Sequence, residues 1–282
     1  MRTERIFILS SLLTIGLAIM AALQRGDLAA TGGASQVNLT LGAALVLVAA
    51  GGSVWLRQRP RNAAGTLLAP EYLPIVPIPV HTLLPALLLV GYAIFMQLFS
   101  GSWFEVAVIG LAWASFVAVY WALAHSADTT DHYFSLAQTA LNVCGHLTAF
   151  LLYSTLYGLK VRALYSATAV GVVTMLLVYE MLARDASWHR ALGRPVEGRR
   201  STQVILSVAV GLVLGQLTWG LNYWAALTTL IGGACLLLAL YATYGVVSAY
   251  VDQRLTRSTL LEYGGVGAVG LLAVFASAFF GQ

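Results

Sequence analysis

Charge is what this chain has least of. Only 9% of its 282 residues are Asp, Glu, Lys or Arg, whereas a water-facing surface needs roughly a quarter of its residues charged. An ordinary soluble domain is therefore excluded. There is one lysine, Lys160. It lies outside every long apolar run, so a retinal Schiff base at membrane depth is excluded as well. The two cysteines, Cys144 and Cys235, both fall inside apolar runs; they read as small core residues and report nothing about redox compartment. Walker A, HExxH, GxSxG and CxxC patterns are absent, and no two spans carry paired DxxxD motifs. The chemistries those spacings serve are left without their residues, and no cofactor is implied.

What the chain does have is apolar length. Hydrophobic residues make up 59% of it and the mean hydropathy is +0.82. About 20 apolar residues cross the hydrocarbon core as a helix, and lipid offers the backbone no other partner. Nine such runs can be counted: 6–23, 38–56, 80–99, 103–124, 133–157, 163–183, 202–222, 225–249 and 263–280. The fold class predicted is an all-α integral membrane protein of about nine transmembrane helices, read as one polytopic domain over 1–282. The first run, Ile6 to Leu23, is longer than the apolar core of a secretory signal, and no clean small-x-small site follows. It is read as the first span.

The cations test this threading. With the N-terminus cytoplasmic, Arg2, Arg5, Arg57, Arg59, Arg61, Arg184, Arg190, Arg194, Arg199, Arg200, Arg254 and Arg257 fall inside. Arg25, Lys160 and Arg162 fall outside, which accounts for all 15 cations. That asymmetry is the positive-inside pattern, and it places the C-terminus outside a bacterial inner membrane. It also explains the net charge of +4 as topology signals rather than a nucleic-acid groove. Trp55 and Trp121 fall at the inner boundary and Trp103 and Trp224 at the outer one, as amphipathic rings should. Trp113, deep in a span, reads as packing.

Two stretches depart from plain spans. Six of the seven prolines lie between 60 and 85, which rules out one regular helix there. Residues 60–79 are too apolar for a solvated loop and read as an interfacial or re-entrant segment, serving as a stiff connector or a lipid gate. The second stretch, "RDASWHRALGRPVEGRR" at 184–200, reads as a loop held at anionic headgroups, with a docking surface for a protein partner as the alternative.

Ionisable and amide groups at membrane depth are functional candidates. In the fifth span Gln138, Asn142 and His146 recur every four residues and share one helical face. They read as a proton or solute path, or else as interhelical hydrogen bonds that fix packing. Gln216 in the seventh span and Glu180 in the sixth are possible partners, although Arg184, four residues after Glu180, makes an intrahelical ion pair the plainer reading. The stretch "HSADTTDH" at 125–132 looks like a metal site, with His125, Asp128, Asp131 and His132 as ligands. The charge count requires a reversal there, so the favoured reading is a tight turn with Thr130 or Asp131 capping the fifth span.

Gly211 and Gly215 form a GxxxG pattern, and "GGVGAVG" at 264–270 makes one face of the last span small; both permit close helix approach. No internal repeat of the kind found in many transporters is visible. The stretch 217–245, "LTWGLNYWAALTTLIGGACLLLALYATYG", and the hairpin 145–167, "GHLTAFLLYSTLYGLKVRALYSA", resemble an uncharacterised family of bacterial polytopic membrane proteins. That resemblance covers spans five to eight and implies an integral-membrane fold with no known activity. Three functions stand. The favoured one is binding or transport of a small solute, ion or lipid along the fifth-span stripe. The alternatives are an accessory subunit of a membrane complex and a metal-dependent enzyme acting on a lipid or isoprenoid at the 125–132 turn.

Overall fold

In a computed structural model of the chain, residues 2–25, 33–57, 79–98, 102–127, 131–159, 162–191, 200–224 and 227–280 are described. Among the described residues nine α-helices run in chain order: α1 (Arg2–Arg25), α2 (Gly33–Arg57), α3 (Leu83–Leu98, entered through a 3-10 turn at Val80–Thr82), α4 (Ser102–His125) and α5 (Phe134–Gly158). They continue with α6 (Ala163–Ala191), α7 (Arg200–Leu221), α8 (Thr229–Val251) and α9 (Arg257–Phe280). No strand occurs among the described residues. Among the described residues seven helices are long and apolar enough to cross a membrane: α1, α2, α3 with its 3-10 turn, α4, α6, α7 and α8, at mean hydropathies of 1.6 to 2.5. The other two, α5 and α9, are 25 and 24 residues long, and α5 is the helix that carries the polar stripe. The proline-rich segment 60–79 lies outside the described residues except for Pro79.

Helix ends differ from the hydropathy limits. α6 continues to Ala191, so the first half of the expected 184–200 loop is helix, and α9 begins at Arg257 rather than 263. Hydropathy marks where hydrocarbon ends, but the i→i−4 bonds that make a helix carry on wherever polar side chains are solvated. α8 begins at Thr229, four residues later than expected; Thr228 before it is extended (φ −73, ψ 166) and makes no side-chain capping hydrogen bond. Before it the chain turns, with Trp224 N donating to the Leu221 carbonyl at 3.0 Å.

Contacts gather into two compact units, residues 1–148 and 149–282, with the division inside α5. In the first unit α1 packs on α2 and α4, and α2 on α3. Small residues let aromatic ones reach across. Tyr120 donates to the Ala49 carbonyl at 3.0 Å and Tyr92 shares a hydrogen bond with Ser115 at 2.8 Å. Trp113, expected to pack, lies on Phe7 with ring centroids 5.9 Å apart. At one end of this unit the Arg5 guanidinium sits 4.4 Å above the Trp55 ring, so the start of α1 and the end of α2 share a level.

In the second unit α6 and α7 form the closest pair. The GxxxG of α7 is used here, within the chain. Gly211 faces Gly171 of α6, and a Cβ on Gly215 would lie 3.1 Å from the Ala167 carbonyl oxygen. Small residues on both helices bring the backbones together. α9 packs on α8, with Gly267 against Ala242 and Gly270 against Leu238. Hydrogen bonds order the ends of this unit. Tyr157 donates to the Leu221 carbonyl at 3.0 Å and Asn222 Nδ2 to Ser166 Oγ at 2.9 Å, joining the end of α5, the start of α6 and the end of α7.

Candidate functional site

The stripe on α5 is built by spacing alone: three polar side chains at four-residue intervals share a face because one helical turn takes 3.6 residues. Gln138 is 5% exposed, while Asn142 and His146 are half-buried. His146 Nδ1 lies 2.8 Å from the Asn142 carbonyl oxygen. A carbonyl only accepts, so this bond assigns the hydrogen of the neutral ring to Nδ1 and leaves the Nε2 lone pair on the other side. Nε2 is buried, and so is Gln138 Oε1, which accepts no hydrogen bond among the described residues. A buried amide oxygen without a donor is costly. Such a face can hold a ligand that donates hydrogen bonds.

Glu180 makes the pair its spacing predicts. Its Oε1 accepts from Arg184 Nη1 at 3.1 Å, with the carboxylate side chain 2% exposed. The next residue, Asp185, accepts from the Tyr244 hydroxyl of α8 at 2.6 Å, and Arg200 Nε approaches the Tyr179 hydroxyl at 3.4 Å. The C-terminal part of α6 thus gathers two acids, two arginines and two tyrosines from three helices. The i,i+4 spacing exposes the Glu180–Arg184 half of this cluster; nothing in the sequence points to Tyr244. Gln216, the other candidate partner, lies on the exposed face of α7, in a groove shared with α6.

The helix is broken between α4 and α5, with turn residues at 126–127 and 132–133. α4 ends at His125. Asp131 caps α5: its Oδ1 accepts from Tyr133 N at 3.0 Å, and its Oδ2 lies 2.8 Å from His125 Nδ1. Thr130, the other expected cap, and Asp128 lie outside the described residues. His132 is exposed and rests against the Tyr133 ring, centroids 5.2 Å apart. His125 lies between Trp121, tilted at 4.9 Å, and Tyr133, edge-on at 5.6 Å. Asp131 is thus engaged through both oxygens, one holding the helix start and the other the histidine. Among the described residues no three His, Cys, Asp or Glu side chains gather as an ion-holding group.

Against known proteins, the model of a family described as "protein of unknown function (DUF5656)" matches residues 17–277. The match takes in spans five to eight, where the resemblance was read, and most of the rest of the chain. No curated protein and no solved structure matches it.

Proposed function

The chain belongs to that family of unknown function, and we propose that it binds a small solute, ion or lipid along the α5 face and passes it through the membrane. The observation that carries this reading is the buried Gln138 oxygen with no donor among the described residues, on the same face as Asn142 and His146. A stripe that served only to fix helix packing would have its amide oxygen satisfied by protein, since packing roles and satisfied hydrogen bonds go together. The charge pattern supports residence in the inner membrane with the N-terminus cytoplasmic. It also supports anionic headgroups around Arg184–Arg200.

The test uses the full chain in mild detergent and in vesicles of phosphatidylethanolamine and phosphatidylglycerol. His146→Ala and Asn142→Leu are compared with wild type for thermal stabilisation by sodium, potassium, magnesium and phosphate. Proton flux is followed with a dye trapped inside the vesicles. Both variants are expected to insert and keep their helicity while losing ligand-dependent stabilisation or flux. If both match wild type in every assay, the reading fails.

A further inference from the structure

We propose that the groove between α6 and α7 holds one acyl chain of a phosphate-headed membrane lipid. The groove lies wholly in the second unit and has a volume of about 420 Å³. Its lining runs from Leu164 to Met175 on α6 and from Val208 to Trp219 on α7. Each side spans eleven residue steps, which at 1.5 Å rise per residue makes it about 16 Å long. A single hydrocarbon chain can lie along a furrow of this length.

The slot exists because Gly171, Gly211 and Gly215 form its floor. Glycines that draw two backbones together also remove the side chains that would fill the furrow above them. Its walls are apolar, with Val172 and Leu212 49% and 63% exposed. The hydroxyl of Thr168, the wall residue next to the mouth, is committed to the Leu164 carbonyl at 2.7 Å. Polar groups appear only toward one end. Gln216 is exposed in the groove, and Trp219, at 54% exposure, stands at the mouth. At the same end Arg162 is exposed, and its carbonyl accepts from Tyr165 N at 2.8 Å to start α6. The order from mouth to bottom is cation, indole and amide, then an apolar slot. That is the order of phosphate, ester and chain in a phospholipid, and a guanidinium at headgroup level is the usual partner for the phosphate. The site is separate from the α5 stripe, and either reading can fail without the other.

The test places the full-length protein in vesicles of phosphatidylethanolamine and phosphatidylglycerol. They contain a trace of phosphatidylglycerol bearing a diazirine within one acyl chain. After photolysis, adducts are mapped by peptide mass spectrometry. They are expected to concentrate on residues 164–175 and 208–219, and to fall at least fivefold in Val172→Trp and in Leu212→Trp, whose exposed positions leave room for the ring. Arg162→Ala should lower labelling by phosphatidylglycerol severalfold while leaving labelling by diacylglycerol with the same chain unchanged. The wild-type map decides even if a variant misfolds: adducts spread evenly over the exposed faces of all helices mean annular lipid only and overturn the proposal. Unchanged labelling in both tryptophan variants overturns it too, as does crosslinking of 164–219 to a second copy in place of lipid. An equal effect of Arg162→Ala on both probes removes the phosphate from it.

Discussion

Gly171 and Gly211 stand face to face where α6 and α7 meet: a Cβ on Gly211 would lie 2.6 Å from the Gly171 carbonyl oxygen. The neighbour is backbone and cannot swing aside. Gly211→Leu is therefore expected to destabilise the protein by about 1–3 kcal/mol or more through overpacking. Gly264 in α9 has nothing within 4 Å of the same added atom, so Gly264→Ala should instead stabilise by about 0.5–1 kcal/mol, the ordinary gain within a helix. Opposite shifts of the thermal midpoint in detergent would bear out the contrast; equal shifts would contradict it.

Arg184 neutralises a carboxylate that is almost wholly buried. Removing one partner of such a pair costs about 3–5 kcal/mol because the other charge stays behind, whereas replacing both by apolar groups is close to neutral. Arg184→Leu is thus predicted to be more destabilising than the double variant Glu180→Leu/Arg184→Leu. Denaturant titration of the three proteins checks the order.

Asp131 holds the first turn of α5 and also engages His125. Asp131→Ala should cost about 1 kcal/mol, the usual loss for a helix cap. Asp131→Asn keeps an equivalent cap oxygen and should cost less. Hydrogen exchange of the amides at 133–137 is the direct readout, with faster exchange expected in the alanine variant alone.

Tyr153 and Thr174 share a buried hydrogen bond of 2.7 Å between α5 and α6. A double-mutant cycle with Tyr153→Phe and Thr174→Val should return a coupling of about 0.6 kcal/mol and no more than about 1.7, the span measured for hydrogen bonds between membrane helices. A coupling of zero would mean that the two hydroxyls do not meet.

Gln253 closes α8 with φ of 56°, a left-handed conformation that a side chain strains by about 1–2 kcal/mol and that glycine adopts freely. Gln253→Gly should raise the thermal midpoint, by the equivalent of about 0.5–1 kcal/mol. A lowered midpoint would show that the Gln253 side chain does more than occupy a turn.

Much of this architecture is legible before any coordinates. Lipid forbids unsatisfied backbone, so apolar runs of the right length are helices; all nine appear among the described residues, and seven of those are apolar enough to span. The Glu180–Arg184 pair and the Asp131 cap are equally local, separated by one helical turn or less from their partners. Helix ends are less legible. α6 and α9 run past the hydrocarbon limits because the signal being read is solvent preference and not backbone hydrogen bonding. The groove is the clearest case of something hidden. The GxxxG of α7 announces a close approach, but not that Ala167 and Gly171 of α6 meet it, nor that a furrow stays open above them.

The sequence by itself determined the class of solvent, the helical state of the chain and the face of α5 on which Gln138, Asn142 and His146 line up. These follow from hydropathy and from a period of 3.6 residues, both properties of neighbours along the chain. Only the tertiary structure decided which groups meet across helices: Tyr244 with Asp185, Tyr157 with the Leu221 carbonyl, Gly211 with Gly171. It also decided that Gln216 lies in an open groove. Periodicity says which way a side chain faces, but what it faces depends on which helix packs there, and that is set by the fit of whole surfaces.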